Sequence, residues 1–259
     1  MQRKNLAVLP GLLLGLLLGP PLVDCRAQQL VIGAEDDWAP YSSNIDGQAR
    51  GFAVDVVREA YAAAGVNVAF RVLPYVRCMA MARLGEIAGC FDAVPNHLIA
   101  ERYLWPDKPL FSTRMNVYAL AGSAEHGLHA RDFEGKTVGV TRDYEYGDEF
   151  DLNQKIVREV GTKNEQGFRK LLAGRMQYMA AEERIAKALF VRYPAQFCGK
   201  FKEVGTVATP GLYIAFSKHD PAAAGHLHKF NEGFALLHKS GRYKGLEARW
   251  FAAPLSPCR

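Results

Sequence analysis

Short apolar runs alternate along the chain with stretches of helical period. Leu30-Val31-Ile32-Gly33-Ala34 is an apolar run of strand length. An acidic and aromatic loop over 35–41 breaks it, and Asp46-Gly47 is a turn signal. Gly51-Phe52 opens a predicted helix that reaches about Ala64 and stops at Gly65. Val66, Val68, Phe70 and Val72 then alternate, which predicts a strand over 66–73. Two strands joined through a helix predict a parallel crossover. Val76, Met79, Ala80 and Leu84 recur near the helical period, with Gly85 as a stop. Cys90, Phe91, Ala93 and Val94 form an apolar run with Asp92 inside it, as in a core strand. Pro95 has no N–H to donate and ends it. Asn96 and His97 therefore fall at the C-terminal end of a strand, where open α/β sheets place ligands. Arg102 follows, a fixed charge able to hold a carboxylate in a fork.

The second half repeats the first in kind, without a repeat of fixed period. Residues 111–121 are extended and apolar-rich. Residues 133–140 start a new strand, and a helix is predicted to begin near Tyr144. A strand at 156–160, a helix over 165–173, a strand over 176–181 and a helix over 182–192 follow. A strand at 211–216, a helix over 222–239 and a shorter helix reaching Trp250-Phe251 close the chain. The predicted fold is α/β with two lobes, 28–116 plus 210–259 and 117–209, joined by two hinge crossings that leave a cleft between them.

Composition adds a compartment. Arg3 and Lys4 precede an apolar stretch over 6–18 that is short for a membrane span, and Pro20-Pro21 break it. Cys25-Arg26-Ala27 puts small residues at the cleavage-determining places, so an export signal cut after Ala27 is expected. The alternative is a lipoprotein anchored at Cys25, which Asp24 disfavours. Loss of the leader lowers the formal net charge from +5 to +3. The basic residues are scattered, which is no nucleic-acid footprint. Four cysteines remain, and an even number in an exported chain favours disulfides. Cys78 and Cys90 are joined by a short turn and close most easily, which leaves Cys198 with Cys258. Buried free thiols are the alternative. No Cys-x-x-Cys occurs and the histidines are dispersed, so neither a metal nor a cofactor is expected.

Several motifs carry a resemblance. Trp38-x-Pro40-Tyr41 follows the first strand, and Gly51-Phe52 with Asp55 starts the first helix. Gly89 and Asp92 loosely, and Glu101-Arg102 clearly, follow. Gly135-Lys136-x-Val138-Gly139-Val140, Leu172-x-x-Gly174-Arg175, Asn231-x-Gly233, Gly241-x-Tyr243 and Trp250 come after them in order. Together they resemble the bacterial extracellular solute-binding proteins of family 3, the polar amino-acid-type periplasmic receptors of ABC importers. The resemblance spans nearly all of 28–252. It implies a monomeric periplasmic receptor with no cofactor, which binds a small molecule between its lobes and serves importer membrane subunits or a sensor. The chain departs from the family at Asn96 and His97, usually serine or threonine. It departs again at Asp143-Tyr144-Glu145, usually a Gly-Ser/Thr turn, and at Glu182, usually aspartate. These departures bear on the identity of the ligand.

The expected site joins both lobes. Trp38 and Tyr41 wall the cleft or cap the first core. Asn96, His97 and Arg102 come from the first lobe, with Arg102 as carboxylate anchor or as a surface partner of Glu101 or Asp107. Thr141, Arg142 and Tyr144 come from the second lobe beside a helix N-terminus, which attracts anions. Glu182 is the expected ammonium partner or else a helix-start charge. Asp143 and Glu145 would favour a ligand with additional positive charge. The alternative function is an enzyme on the same fold, similar to cyclohexadienyl dehydratases, with Glu182 or His97 as general acid or base.

Overall fold

The computed structural model describes residues 29–251. The leader, the cleavage at Ala27, the lipidation alternative at Cys25 and the Cys198–Cys258 pairing lie outside the described residues. The first strand β1 (Leu30–Glu35) is followed by three short strands, β2 (Asp37–Trp38), β3 (Ser42–Ile45) and β4 (Gln48–Arg50). These three form an antiparallel sheet of their own. Next come α1 (Phe52–Ala63), β5 (Val68–Leu73), α2 (Tyr75–Leu84) and β6 (Gly89–Ala93). Short pieces β7 (Tyr103–Leu104) and β8 (Phe111–Ser112) lead to β9 (Met115–Leu120). The chain continues through β10 (Thr137–Thr141), α3 (Asp148–Asp151), β11 (Val157–Gly161), α4 (Asn164–Leu172) and β12 (Tyr178–Glu182). It then passes α5 (Glu183–Arg192), α6 (Pro194–Phe197), β13 (Phe201–Ala208) and β14 (Gly211–Ser217). It closes on α7 (Ala223–Lys239) and α8 (Arg242–Phe251).

Two sheets carry the two lobes. The first runs β5-β1-β6-β14-β7, with β8 also on β14. The expected crossover is parallel, with Ile32 opposite Phe70 and Gly33 opposite Cys90. The second runs β11-β10-β12-β9-β13, parallel from β11 to β12 and antiparallel beyond. The chain crosses once between β8 and β9 and returns between β13 and β14, so both crossings are extended backbone.

In the first lobe, α1, α7 and α8 cover one face through Phe52, Tyr61, Phe230, Phe234 and Tyr243, all buried. Each such side chain stabilises by roughly 1.5–3 kcal/mol when fully buried. On the other face α2 lies against β1 and β6, and Cys78 and Cys90 are disulfide-bonded there with Cα atoms 5.8 Å apart. Helix α2 ends as predicted, at Gly85 in the left-handed conformation. Asp55 of α1 accepts hydrogen bonds from Trp250 Nε1 at 2.9 Å and Arg249 at 2.7 Å, which ties α8 to α1. Two residues of the sequence motifs thus meet across the fold.

Three local outcomes differ from the pattern. No helix begins at Tyr144, because Asp143 at φ 62° and Gly147 at φ 92° keep 142–147 out of helical conformation. Only the single turn α3 follows. Strand β13 is not announced by the pattern, because its apolar residues Phe201, Val204 and Val207 fall three apart and do not alternate, and two register shifts bend it against β9. The β2–β4 strands are too short to show a period.

Candidate ligand-binding cleft

The C-terminal end of β1 delivers Glu35 and the acids Asp36 and Asp37 to the face that meets the second lobe. Opposite them, the end of β10 brings Thr141 and Arg142, and the start of α4 brings Thr162, Lys163 and Asn164. Between these groups is a cleft of about 640 Å³. Its first-lobe wall is acidic, with Glu35, Asp36 and Asp37. Its second-lobe wall carries the bases Arg142, Lys163 and Arg192 and one acid, Glu165, which is paired with Arg169. Pro74, Tyr75 and Val76 from α2, and Ile185 and Leu189 from α5, add apolar surface. Thr141 is held in place by two bonds. Its N–H donates to Tyr146 Oη at 2.8 Å, and its Oγ1 donates to Asn164 Oδ1 at 3.0 Å. The partial positive charge of the α4 N-terminus adds to the basic wall.

Polar contacts run between the lobes. Tyr144 Oη donates to Glu35 Oε1 at 2.7 Å, and Tyr75 Oη donates to Glu145 Oε1 at 3.0 Å. The two rings meet edge-on, with centroids 6.3 Å apart. At the rim, His97 Nδ1 and Asp148 Oδ1 are 2.8 Å apart, and Lys163 pairs with Asp37 at 3.2 Å. Tyr144 packs against the apolar clusters of both lobes. Burial, opposed by the Tyr144 bond and reinforced by Asp36 and Glu145, pushes the Glu35 carboxyl up to about 8. Burial likewise pushes Glu145 up to about 8, against the bond from Tyr75.

The structure divides the residues expected from the sequence. Thr141, Arg142 and Tyr144 line the cleft. Tyr41 is buried, stacks on Phe111 at 4.6 Å and donates to Glu182 Oε1 at 3.0 Å. Trp38 is buried against Tyr41 and Phe111, and it reaches only a small inner cavity beside the cleft. Glu182 is enclosed by partners of its own chain. It caps α5 by accepting the Ile185 N–H at 2.7 Å, and it accepts from Tyr41 and from Thr113 Oγ1. Asn96 accepts the N–H groups of Leu98 and Ile99 at 2.9 and 3.1 Å, which shapes the loop after β6. Arg102 is exposed, in a short 3₁₀ turn over Ala100–Arg102, and lines neither cavity.

Residues that sequence reasoning did not assign to the site are Glu35, Asp36, Asp37, Tyr75, Asp92, Lys163, Asn164 and Arg192. For Asp92 a signal existed, since it is the charge inside an otherwise apolar strand. Tyr75 and Lys163 carry no such signal, because each begins an ordinary amphipathic helix.

The sequence pattern of the bacterial extracellular solute-binding proteins, family 3, matches residues 30–253. The chain belongs to that family. Its extracellular character places the protein in the periplasm or outside the cell. The fold is shared with solved structures. A mutant of ArgBP from T. maritima superposes with a TM-score of 0.71 at 21% identity, covering 87% of this chain and 96% of that one. The arginine-, lysine-, histidine-binding protein ArtJ from Geobacillus stearothermophilus gives 0.70 at 20% identity, covering 87% and 96%. A histidine kinase sensor domain with similarity to periplasmic binding proteins gives 0.73 at 21%, covering 87% and 97%. At these identities the likeness is one of fold. No curated protein matches the chain by sequence. As a member of the family the chain is a solute-binding protein.

Proposed function

We propose that the protein captures an amino acid carrying additional positive charge and presents it, with the lobes closed, to the membrane subunits of an importer or to a sensor. The observation that carries this reading is the polarity of the cleft, acidic on the first lobe and basic on the second. A zwitterion spanning it would set its cationic end against Asp36 and Asp37, with the Glu35 carboxyl beside them. Its carboxylate would face Arg142 and the N-terminus of α4. This orientation is the reverse of one built on Arg102 and Glu182, whose exposure and internal partners favour other roles. Charge-assisted bonds in a closing cleft strengthen as water leaves.

Thermal shift and calorimetry over the amino acids, on protein refolded to remove carried ligand, test the reading. The expected result is selective stabilisation by lysine, ornithine or arginine. At ~100 times its dissociation constant such a ligand stabilises by about 2.7 kcal/mol. Equal indifference to every amino acid would overturn it. The raised Glu35 and Glu145 carboxyls also have the proton affinity of general acids, which favours a lyase as second reading. Mass spectrometry of incubated ligands separates the two, since a receptor returns them unaltered.

A further inference from the structure

Beneath the cleft a second, much smaller cavity lies at the junction of the lobes. It is lined by Glu35, Asp92 and Glu145 among the aromatic rings of Trp38, Tyr75 and Tyr144. Asp92 is the anomaly in it. Its side chain is 5% exposed, and neither carboxyl oxygen has a hydrogen-bond partner. Its backbone adopts φ 67°, in the left-handed region. A buried carboxyl without a partner is costly, because it has lost water and gained no hydrogen bond. The fold nevertheless places it where β6 ends at the lobe junction. None of the ion pairs among the described residues involves Glu35, Asp92 or Glu145.

The geometry points to a subsite in which Asp92, flanked by Glu35 and Glu145, receives the primary ammonium head of a ligand whose remainder lies in the main cleft. Glu35, Tyr75 and Tyr144 line both spaces, so the two adjoin across the tyrosine rings, which an entering ligand would have to part. The inner volume is about 20 Å³, enough for one group of the size of water or ammonium. A planar guanidinium with three nitrogens exceeds it. The aromatic walls suit an ammonium, which is attracted to ring faces. Among the described residues no group of three or more His, Cys, Asp or Glu is placed to hold a metal ion. Burial, followed by the neighbouring Glu35, holds the Asp92 carboxyl well above the usual carboxylate range, and an arriving cation would reverse that shift.

This subsite rests on the reading of the cleft as a receptor site and names the group it selects. Calorimetry on the full chain with lysine, arginine, norleucine and cadaverine tests it, together with Asp92→Asn. Asparagine keeps the shape and tolerates the left-handed backbone. The expected result is lysine binding at least tenfold tighter than arginine and norleucine, and a loss of at least tenfold for lysine in Asp92→Asn. Norleucine binding as tightly as lysine to the wild type, a comparison that needs no variant, would overturn the subsite and leave the receptor reading standing. Lysine affinity within twofold of wild type in a folded Asp92→Asn would do the same. Cadaverine bound in an Asp92-dependent manner, with no amino acid bound, would support the subsite and overturn the zwitterion. A chain that binds none of the four overturns the subsite, and the receptor reading is then decided by the screen over all amino acids.

Discussion

At the scale of single residues, Arg142 and Arg102 carry the same charge but sit in opposite surroundings. Arg142 lines the cleft beside Thr141, whereas Arg102 is exposed on a turn outside it. Arg142→Ala is expected to weaken binding of a carboxylate ligand by about 1.5–3 kcal/mol, the range for a hydrogen bond to a charged group. Arg102→Ala is expected to stay within about 0.5 kcal/mol, as exposed substitutions usually do. Calorimetry on the pair decides between them, and the opposite ranking would restore Arg102 as the anchor. Glu182 differs again. Its carboxyl satisfies the Ile185 N–H and the hydroxyls of Tyr41 and Thr113. Glu182→Ala leaves three buried donors without that acceptor, so it should lower stability by roughly 1–3 kcal/mol in urea unfolding.

At the scale of elements, the first lobe depends on close approach. A Cβ built at Gly233 of α7 would overlap the Ala60 carbonyl of α1. Glycine therefore sets the distance between the two longest helices of that lobe, which is the physical content of the Asn231-x-Gly233 motif. Gly233→Val is expected to destabilise by about 1–3 kcal/mol through overpacking. Gly51 has a similar reason, since φ 148° and the nearby Tyr41 carbonyl exclude a side chain at the start of α1. Across the sheet, the Cys78–Cys90 bridge closes a short loop with a sequence separation of 12. In the chain-entropy account such a loop stabilises by roughly 3 kcal/mol. The double serine variant should unfold at correspondingly lower urea, and unchanged stability would show that the bridge adds nothing. The pairing was legible from spacing alone because α2 and β6 are consecutive. The helix expected at Tyr144 was misread, because a left-handed Asp143 is invisible to periodicity.

At the scale of the whole molecule, the lobes are held together through carboxyls kept protonated by burial. Glu35 and Glu145 have folded-state values of about 8 against an ordinary 4.5. Between those values the folded chain binds more protons than the unfolded one, so stability falls as pH rises from about 4.5 to 8 and levels off above. Each group contributes at most about 1.4 kcal/mol per pH unit over that window. Melting temperature against pH should show this decline, and Glu35→Gln with Glu145→Gln should reduce its slope, with Asp92, also raised by burial, sustaining the remainder. A rise in stability across the window in the wild type would contradict the assignment. Two extended crossings also make a hinge. Above pH 8, with both acids ionised beside Asp36, Asp37 and Asp143, the ligand-free lobes should separate and solution scattering should give a larger radius of gyration.

The sequence by itself determined the family, the two α/β lobes, most elements and the bridge between Cys78 and Cys90. These follow from local terms: apolar period, glycine stops and short-range loop closure. It also named Asp143 and Glu145 as acids that would favour a cationic ligand, whereas the acids of the cleft wall, Glu35, Asp36 and Asp37, were not assigned to the site. Only the tertiary structure decided which charges face one another. Arg102 and Glu182 are separated from the cleft by a turn and by an internal cap, neither of which residue type reveals. Asp92, a lone charge in an apolar strand, is buried with neither carboxyl oxygen hydrogen-bonded, which the strand pattern does not reveal. Burial and partnership depend on residues far apart in the chain, such as Glu35 with Tyr144 and Tyr75 with Glu145. No local pattern encodes them.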